Sequence, residues 1–267
     1  MEWSSRPSID SYSISDLDLS ETTGWWTQPE AVPPTLLNKS QELTWEVDET
    51  MHTRRGKRII ERKVYVLYPD YSQTIVTVKY EAENAGRVKF EQHHKPSPPP
   101  LRRDQLEDAY MRFGAEMKKF ASESAGQSIG DGSPFAYVQS VIARFPDALP
   151  PVGRRAYGAV VYSNFGNASV TQTDEIKPGD IITFKNSKFQ GHKGSLHTKY
   201  SVEAGKPLHC AVVTEWDGTK KKIKVLEQPK DKGRVRMESY RLSDLRSGEV
   251  VVYRVVGREY VGWEGDM

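Results

Sequence analysis

The 267-residue chain has a single cysteine, Cys210. One thiol closes no internal disulfide, and without a Cys-x-x-Cys pair the usual thiolate zinc site is missing as well. Long apolar runs are also absent, and nothing approaches the roughly eighteen continuous apolar residues of a membrane-spanning helix. The opening stretch MEWSSRPSIDSYS has neither a basic n-region nor an apolar h-region, so no secretory signal is expected. Charge of one sign is missing too. Thirty-eight Lys and Arg against 36 Asp and Glu leave a formal +2, too little to draw the chain to nucleic acid or anionic lipid. A reducing, cytoplasmic setting with no nucleic-acid partner and no membrane insertion is the expectation.

Hydrophobic residues at 37% and charged residues at 28% describe a globular chain, long enough for one large domain or two small ones. Residues 1–22 are rich in Ser and Asp without a sustained period and read as a disordered linker. GWWTQPEAVPP comes next, with Trp25 and Trp26 adjacent in a proline-flanked segment. Neighbouring side chains of an extended strand face opposite ways. One indole therefore plugs a core groove, or the pair is an exposed binding element for a partner. RIIERKVYVLY and TIVTVKY, joined by Pro69-Asp70-Tyr71-Ser72, predict a β-hairpin over 57–80. A lone hairpin is marginal, so residues 23–94 are expected to pack on the domain carboxy-terminal to them. KPSPPP, within a connector at 95–103, reads as a stiff polyproline spacer. PSPPPLRR also has the form of a ligand for proline-reading modules.

Asp104 and Glu107 suggest a capping box, and Leu106, Tyr110, Phe113, Met117 and Phe120 recur at helical spacing. Ser133 and Pro134 look like the N-cap and first residue of a second helix carrying Phe135, Val138, Val141 and Ile142. Beyond about Ala156 the chain reads as short strands. Helices followed by strands is an α+β order.

Three patterns carry the chemistry: IGDGSPFAYVQSV, a turn into a helix N-terminus; KPGDIITF, a turn into an apolar strand; and LHCAVVTEWDGTKKKIKVLEQ, a hairpin from His209 to Glu227. Their order resembles the cell-wall amidases and peptidases of the NlpC and CHAP type, which have a papain-like fold. There a cysteine at a helix N-terminus is the nucleophile, a histidine opening a strand is the base, and a Glu in a Glu-Gln-Asn stretch orients it. The resemblance aligns Asp131-Gly132-Ser133-Pro134-Phe135 with the nucleophile motif, His209 with the base, and Glu227-Gln228 with the orienting pair. Gly132 stands where the cysteine belongs, and Pro229 replaces the asparagine. Losing the nucleophile of a triad costs on the order of 10⁶ in turnover. Ser133 is the imaginable substitute, yet it occupies an N-cap position. Cys210, next to His209 on one strand, points to the opposite face. The expectation is a papain-like pseudoenzyme domain over 104–264, without cofactor or metal. Asp131, His209, Gln228, Trp25 and Trp26 are its candidate binding residues. A residual hydrolase using Ser133, His209 and Glu227 is the rival reading, and a structural module that dimerises or holds a scaffold in shape is a third.

A narrower resemblance rests on GWWTQPEAVPP, YVLYPDYSQTIVTV, ALPPVG, NFGNASV, KFQGHKGSLHTKYSV and LRSGEVVVYRVVGREYVGW. Together they resemble the carboxy-terminal region of fungal myosin tail region-interacting proteins of the Mti/Bbc type. That implies a scaffold of the cortical actin patch, acting in endocytosis with type I myosin and an activator of actin nucleation. It brings no site residue with it. His192 and His197, with no carboxylate or cysteine beside them, make a poor metal pair, and Lys220–Lys222 reads as a solvated loop.

Overall fold

The computed structural model describes residues 17, 19, 23–193, 198–229 and 233–263. The linker expected over 1–22 lies, except for Leu17 and Leu19, outside the described residues, as does His197. The chain divides into two compact units, the first holding residues up to Pro99 together with Val152–Ala156, the second holding Pro100–Pro151 and Tyr157–Glu264.

In the first unit the expected hairpin is the middle of a four-stranded antiparallel meander. It comprises β1 (Thr44–Arg54), β2 (Lys57–Leu67), β3 (Gln73–Glu81) and β4 (Asn84–Lys95), in that order. The central strands were legible because they alternate. Val64, Val66, Val76 and Val78 are fully buried on one face, with Val64 directly opposite Val76. The edge strands escaped because charge and exposure dilute their alternation, as is common where a sheet must discourage further pairing. Arg62, itself buried, donates to Glu49 on β1 at 2.7 Å and to the Ala31 carbonyl at 3.2 Å. Residues 152–156, read from sequence as part of the papain-like domain, belong to this unit. The amide of Gly153 donates to Thr44 Oγ1 at 3.1 Å and that of Arg154 to the Gln41 carbonyl at 2.9 Å.

Trp25 and Trp26 are core side chains, 5% and 2% exposed, which corrects their candidacy as an exposed binding element. The segment is not extended. Gly24, at φ 58°, turns the chain into a 3-10 turn at Trp25–Thr27, where neighbours are no longer obliged to face opposite ways. Both indoles meet Phe90 of β4, Trp26 edge-on at 5.0 Å. A four-residue helix, α1 (Pro34–Leu37), adds the buried Leu36 to the same core. Trp26 Nε1 donates to the Ala85 carbonyl at 3.1 Å, and the Tyr80 hydroxyl donates to the Trp26 carbonyl at 3.0 Å. Trp25 Nε1 is buried and has no hydrogen-bond partner among the described residues.

The second unit places α2 (Arg103–Ala109), α3 (Ala115–Glu123) and α4 (Pro134–Ile142) with a seven-stranded antiparallel sheet. The sheet's strands are β5 (Ala159–Phe165), β6 (Ser169–Gln172), β7 (Ile181–Lys193), β8 (Thr198–Asp217), β9 (Lys222–Glu227), β10 (Arg236–Arg241) and β11 (Leu245–Arg254). Their spatial order is β10-β9-β8-β7-β11-β5-β6. This is the α+β class expected, with β6 and β10 added at the edges. Arg102, not Asp104, is the N-cap of α2. The Gln105 side chain accepts from its amide at 3.0 Å, and Asp104 falls in the first turn. Between α2 and α3 the helix widens into a π turn at Tyr110–Gly114.

Two glycines let that turn meet the Pro178-Gly179-Asp180 corner before β7, since an added Cβ on Gly179, at φ 96°, would collide with the Gly114 carbonyl. Asp180 at this corner is 1% exposed and receives Arg254 of β11, Nε to Oδ1 at 2.6 Å and an Nη to Oδ2 at 3.2 Å. The same guanidinium donates to Asp174 at 3.0 Å, the Leu106 carbonyl at 2.9 Å and the Glu175 carbonyl at 2.8 Å. Burial pushes the Asp180 carboxyl up to about 6. Burial also works against the charge of Arg254, but its bonds to Asp180 and Asp174 outweigh that and hold it above its ordinary value. Among the described residues no helix is long and apolar enough to cross a membrane.

The two indoles predict opposite responses to Trp→Phe. Trp26→Phe strands the Ala85 carbonyl and is expected to cost about 1–3 kcal/mol, whereas Trp25→Phe removes an unpaired N–H and is expected to stay within about 1 kcal/mol of the parent. Trp26→Ala is expected to cost about 3–5 kcal/mol. Urea denaturation of the three variants checks the ranking, and equal losses for the two phenylalanine variants would refute it.

Candidate functional site

The candidate residues fall into two hydrogen-bonded groups joined through the neighbours Glu227 and Gln228. The first begins at His209 on β8. It stands directly opposite Phe184 of β7 in the strand register, and the two rings stack at 6.1 Å and 29°. That packing leaves the imidazole 13% exposed, with Nε2 3.0 Å from Oε2 of Glu227 at the end of β9. Two groups that the sequence did not single out complete the arrangement. The Tyr240 hydroxyl donates to the same Glu227 oxygen at 2.9 Å, and Arg236 reaches Oε1 at 3.3 Å. Both sit on β10, the edge strand missed in the sequence. RMESYR gives no strand signal, since its two apolar residues lie three apart and do not alternate.

Burial alone would raise the Glu227 carboxyl. The hydrogen bond and charge of His209, then the bond from Tyr240 and the charge of Arg236, outweigh it and hold the group below the ordinary glutamate range. Burial, reinforced by the Glu227 charge, pushes the Tyr240 phenol up, so it stays a donor at every physiological pH. Among the described residues Glu227 is the sole hydrogen-bond partner of the His209 ring. No hydroxyl or thiol among them is placed to pass it a proton.

The second group is the turn into α4. Ser133 has extended backbone at φ −82°, ψ 154°, and its Oγ accepts the Ala136 amide at 3.1 Å, the geometry of an N-cap. Its own amide donates to Asp131 Oδ1 at 2.8 Å. Gly132 lies between them in the left-handed region at φ 80°. Among the described residues an added Cβ there would find only the Gly233 Cα at 3.9 Å and the Ser128 Oγ at 4.0 Å. Gln228, fully buried, clasps the turn. Its Oε1 accepts the Ile129 amide at 2.7 Å, and its Nε2 donates to the carbonyls of Ile129 at 2.8 Å and Ser133 at 2.9 Å. Gln228 thus holds backbone, with both amide hydrogens and one lone pair of its oxygen given to the turn. Cys210 is completely buried on β8. His192 lies exposed on β7.

Chemically the first group is an oriented, ionisable imidazole–carboxylate pair, and the second is a capped helix entrance with no side chain at 132. Among the described residues the pair has the geometry of a base with its orienting acid, and no hydroxyl or thiol is hydrogen-bonded to the imidazole.

The two groups answer differently to pH. Because the Glu227 carboxyl is lower in the fold than in the unfolded chain, where it titrates near about 4.3, its contribution to stability is complete above that pH. It is lost as pH falls through the folded value. Glu227→Gln is therefore expected to lower the thermal midpoint at neutral pH and to flatten its decline below about pH 4.3. Circular dichroism melts across that range check it. Ser133→Ala removes the cap and is expected to cost about 1 kcal/mol at all pH values, and a cost confined to acid would contradict the capping role.

Residues 91–265 match the family model described as the AIM3/BBC1 cysteine proteinase-fold domain. The chain is also similar to an SH3 domain-containing protein of Schizosaccharomyces pombe, 37% identical over 257 residues. That alignment covers 96% of this chain and 16% of the yeast protein, so the chain spans about a sixth of its relative's length. No solved structure gives a significant match. On the family match, which takes in α2 to α4, the seven-stranded sheet and both groups of the site, the chain belongs to the AIM3/BBC1 cysteine proteinase-fold domain family.

Proposed function

We propose that this chain is a non-catalytic protein-interaction domain, a pseudoenzyme, within a fungal cortical actin-patch scaffold. In this reading the full-length protein works with type I myosin and an activator of actin nucleation during endocytosis. The observation that carries the non-catalytic part is that none of the candidate nucleophile positions offers a free group. Gly132 has no side chain, the Ser133 oxygen accepts the Ala136 amide, and Cys210 is fully buried. A general base must be within hydrogen-bond reach of the proton it removes. A relative whose name records an SH3 domain supports a setting in which binding modules are strung along one chain. The actin-patch assignment rests on the resemblance of the sequence strings.

The retained His209–Glu227 pair favours one second reading, a residual hydrolase with Ser133 as nucleophile. It requires Ser133 to leave its cap, which the N-cap geometry opposes by about 1 kcal/mol. The two readings part in one experiment. The chain is expected to release no product from peptide and acyl-ester substrates, and to retain actin-patch proteins, type I myosin among them, from a fungal extract. Turnover lost in Ser133→Ala but kept in Cys210→Ala would replace the proposal with the hydrolase, and retention of no such protein would remove the scaffold assignment.

A further inference from the structure

The turn between β1 and β2 carries more charge than a turn needs. Residues 50–60, TMHTRRGKRII, include Arg54, Arg55, Lys57 and Arg58 and no acidic residue. Every residue from Met51 to Arg58 is exposed, although the two strands stay paired as far as Arg54 and Lys57. The hairpin therefore ends in a bare, convex tip. The +2 of the whole sequence provides no long-range field, but it does not say where charge is concentrated.

Two features of the tip work against its own stability. Arg54 and Lys57 are directly opposite in the register, and like charges so placed destabilise a strand pair. Arg55 opens the two-residue turn at φ 50°, with Gly56 following at φ 76°. Two positive angles make a type I′ turn, whose first position favours Asn, Asp or Gly over a long side chain. Counter-charge from the neighbouring end of β3 and β4 is partial. Lys57 meets Glu81 at 2.9 Å and Arg58 meets Glu83 at 2.7 Å, and both pairs are open to solvent and easily exchanged. Arg54 and Arg55 have no hydrogen bond or ion pair among the described residues. Local choices that oppose the fold concentrate where a surface has another use.

An apolar row ends beside these cations. Met51, Ile60, Tyr80 and Val88 are successive partners across the four strands. The last three are buried or half-buried, whereas Met51, at the free edge, is 62% exposed. Cations around a protruding hydrophobic side chain are complementary to a layer of phosphates over an apolar interior. A convex tip offers no groove to a peptide, and residues 46–64 include no Phe, Tyr or Trp on which a base could stack.

We propose that the β1–β2 tip docks the first unit on an anionic phospholipid surface. Arg54, Arg55, Lys57 and Arg58 contact headgroup phosphates, the last two exchanging Glu81 and Glu83 for them. Met51 rests at the boundary between headgroups and acyl chains. The contact is peripheral, and salt weakens it.

The test sediments the full 267-residue chain with vesicles of phosphatidylcholine, with and without phosphatidylserine. Binding is expected only where phosphatidylserine is present. Arg54→Glu/Arg55→Glu is expected to weaken it at least about tenfold, and Met51→Ala about threefold. Arg55→Asn removes one charge and installs the favoured turn residue. It is expected to weaken binding about fivefold while the thermal midpoint stays at or above the parent value, a split that a merely structural role for Arg55 would not give. Lys220→Glu/Lys221→Glu, on the exposed basic turn after β8, should leave binding unchanged. No binding to the anionic vesicles would overturn the proposal, as would binding that survives the arginine pair. Binding of single-stranded RNA in place of the vesicles would overturn the lipid assignment.

Discussion

The second unit depends on one guanidinium. Arg254, 1% exposed, directs its hydrogen bonds to two carboxylates and two carbonyls, tying the end of β11 to the Asp174–Asp180 corner and to α2. Arg has five N–H donors in a fixed fork, so an arrangement that satisfies them all has very few alternatives. Removing one partner of such a group strands a charge away from water, typically at about 3–5 kcal/mol. The corner it holds also fixes β8, because the amide of Gly179 donates to the Val213 carbonyl and that of Val213 to the Asp180 carbonyl, both at 2.8 Å. His209 lies four residues before Val213 on that strand. The placement of the candidate base therefore depends on a salt bridge between a different strand and the corner before β7.

The parts of this arrangement differ in how far the sequence reveals them. Local chemistry was readable: Ser133-Pro134 announced a helix start and Pro178-Gly179-Asp180 a corner, each decided within a few residues. The hairpin from His209 to Glu227 was also legible, whereas pairing the two as base and acid came from the resemblance to NlpC- and CHAP-type enzymes. Arg254 was unreadable as the partner of Asp180, 74 residues away, since nothing in RVV distinguishes a buried guanidinium from a solvated one. Tyr240 and Arg236 were hidden for the same reason, being ordinary side chains on a short edge strand until pairing with β9 puts them beside Glu227. The tryptophans differ again. The alternation rule of a strand has no hold on a segment that the left-handed Gly24 converts into a tight turn.

The imidazole–carboxylate pair has a role in the fold that needs no chemistry. Glu227 is nearly buried, and His209, Tyr240 and Arg236 are what keep its charge satisfied there. Hydrogen bonds to a charged group contribute about 1.5–3 kcal/mol each. Phe184 and Tyr240, 4.6 Å apart, close the cluster from the apolar side. An orienting acid can thus persist for packing reasons alone, and its presence says nothing by itself about turnover.

The backbone at Gly132 limits what a substitution there can do. A cysteine installed there would meet no close Cβ contact among the described residues, yet it would inherit φ 80°, a conformation that costs a residue with a Cβ about 1–2 kcal/mol. The helix entrance beyond it is already spoken for: Pro134 has no N–H to offer, and the Ala136 amide is given to Ser133. A sulfur at position 132 would therefore need the turn reshaped and the cap vacated as well, so one substitution there does not set up a helix-activated thiolate.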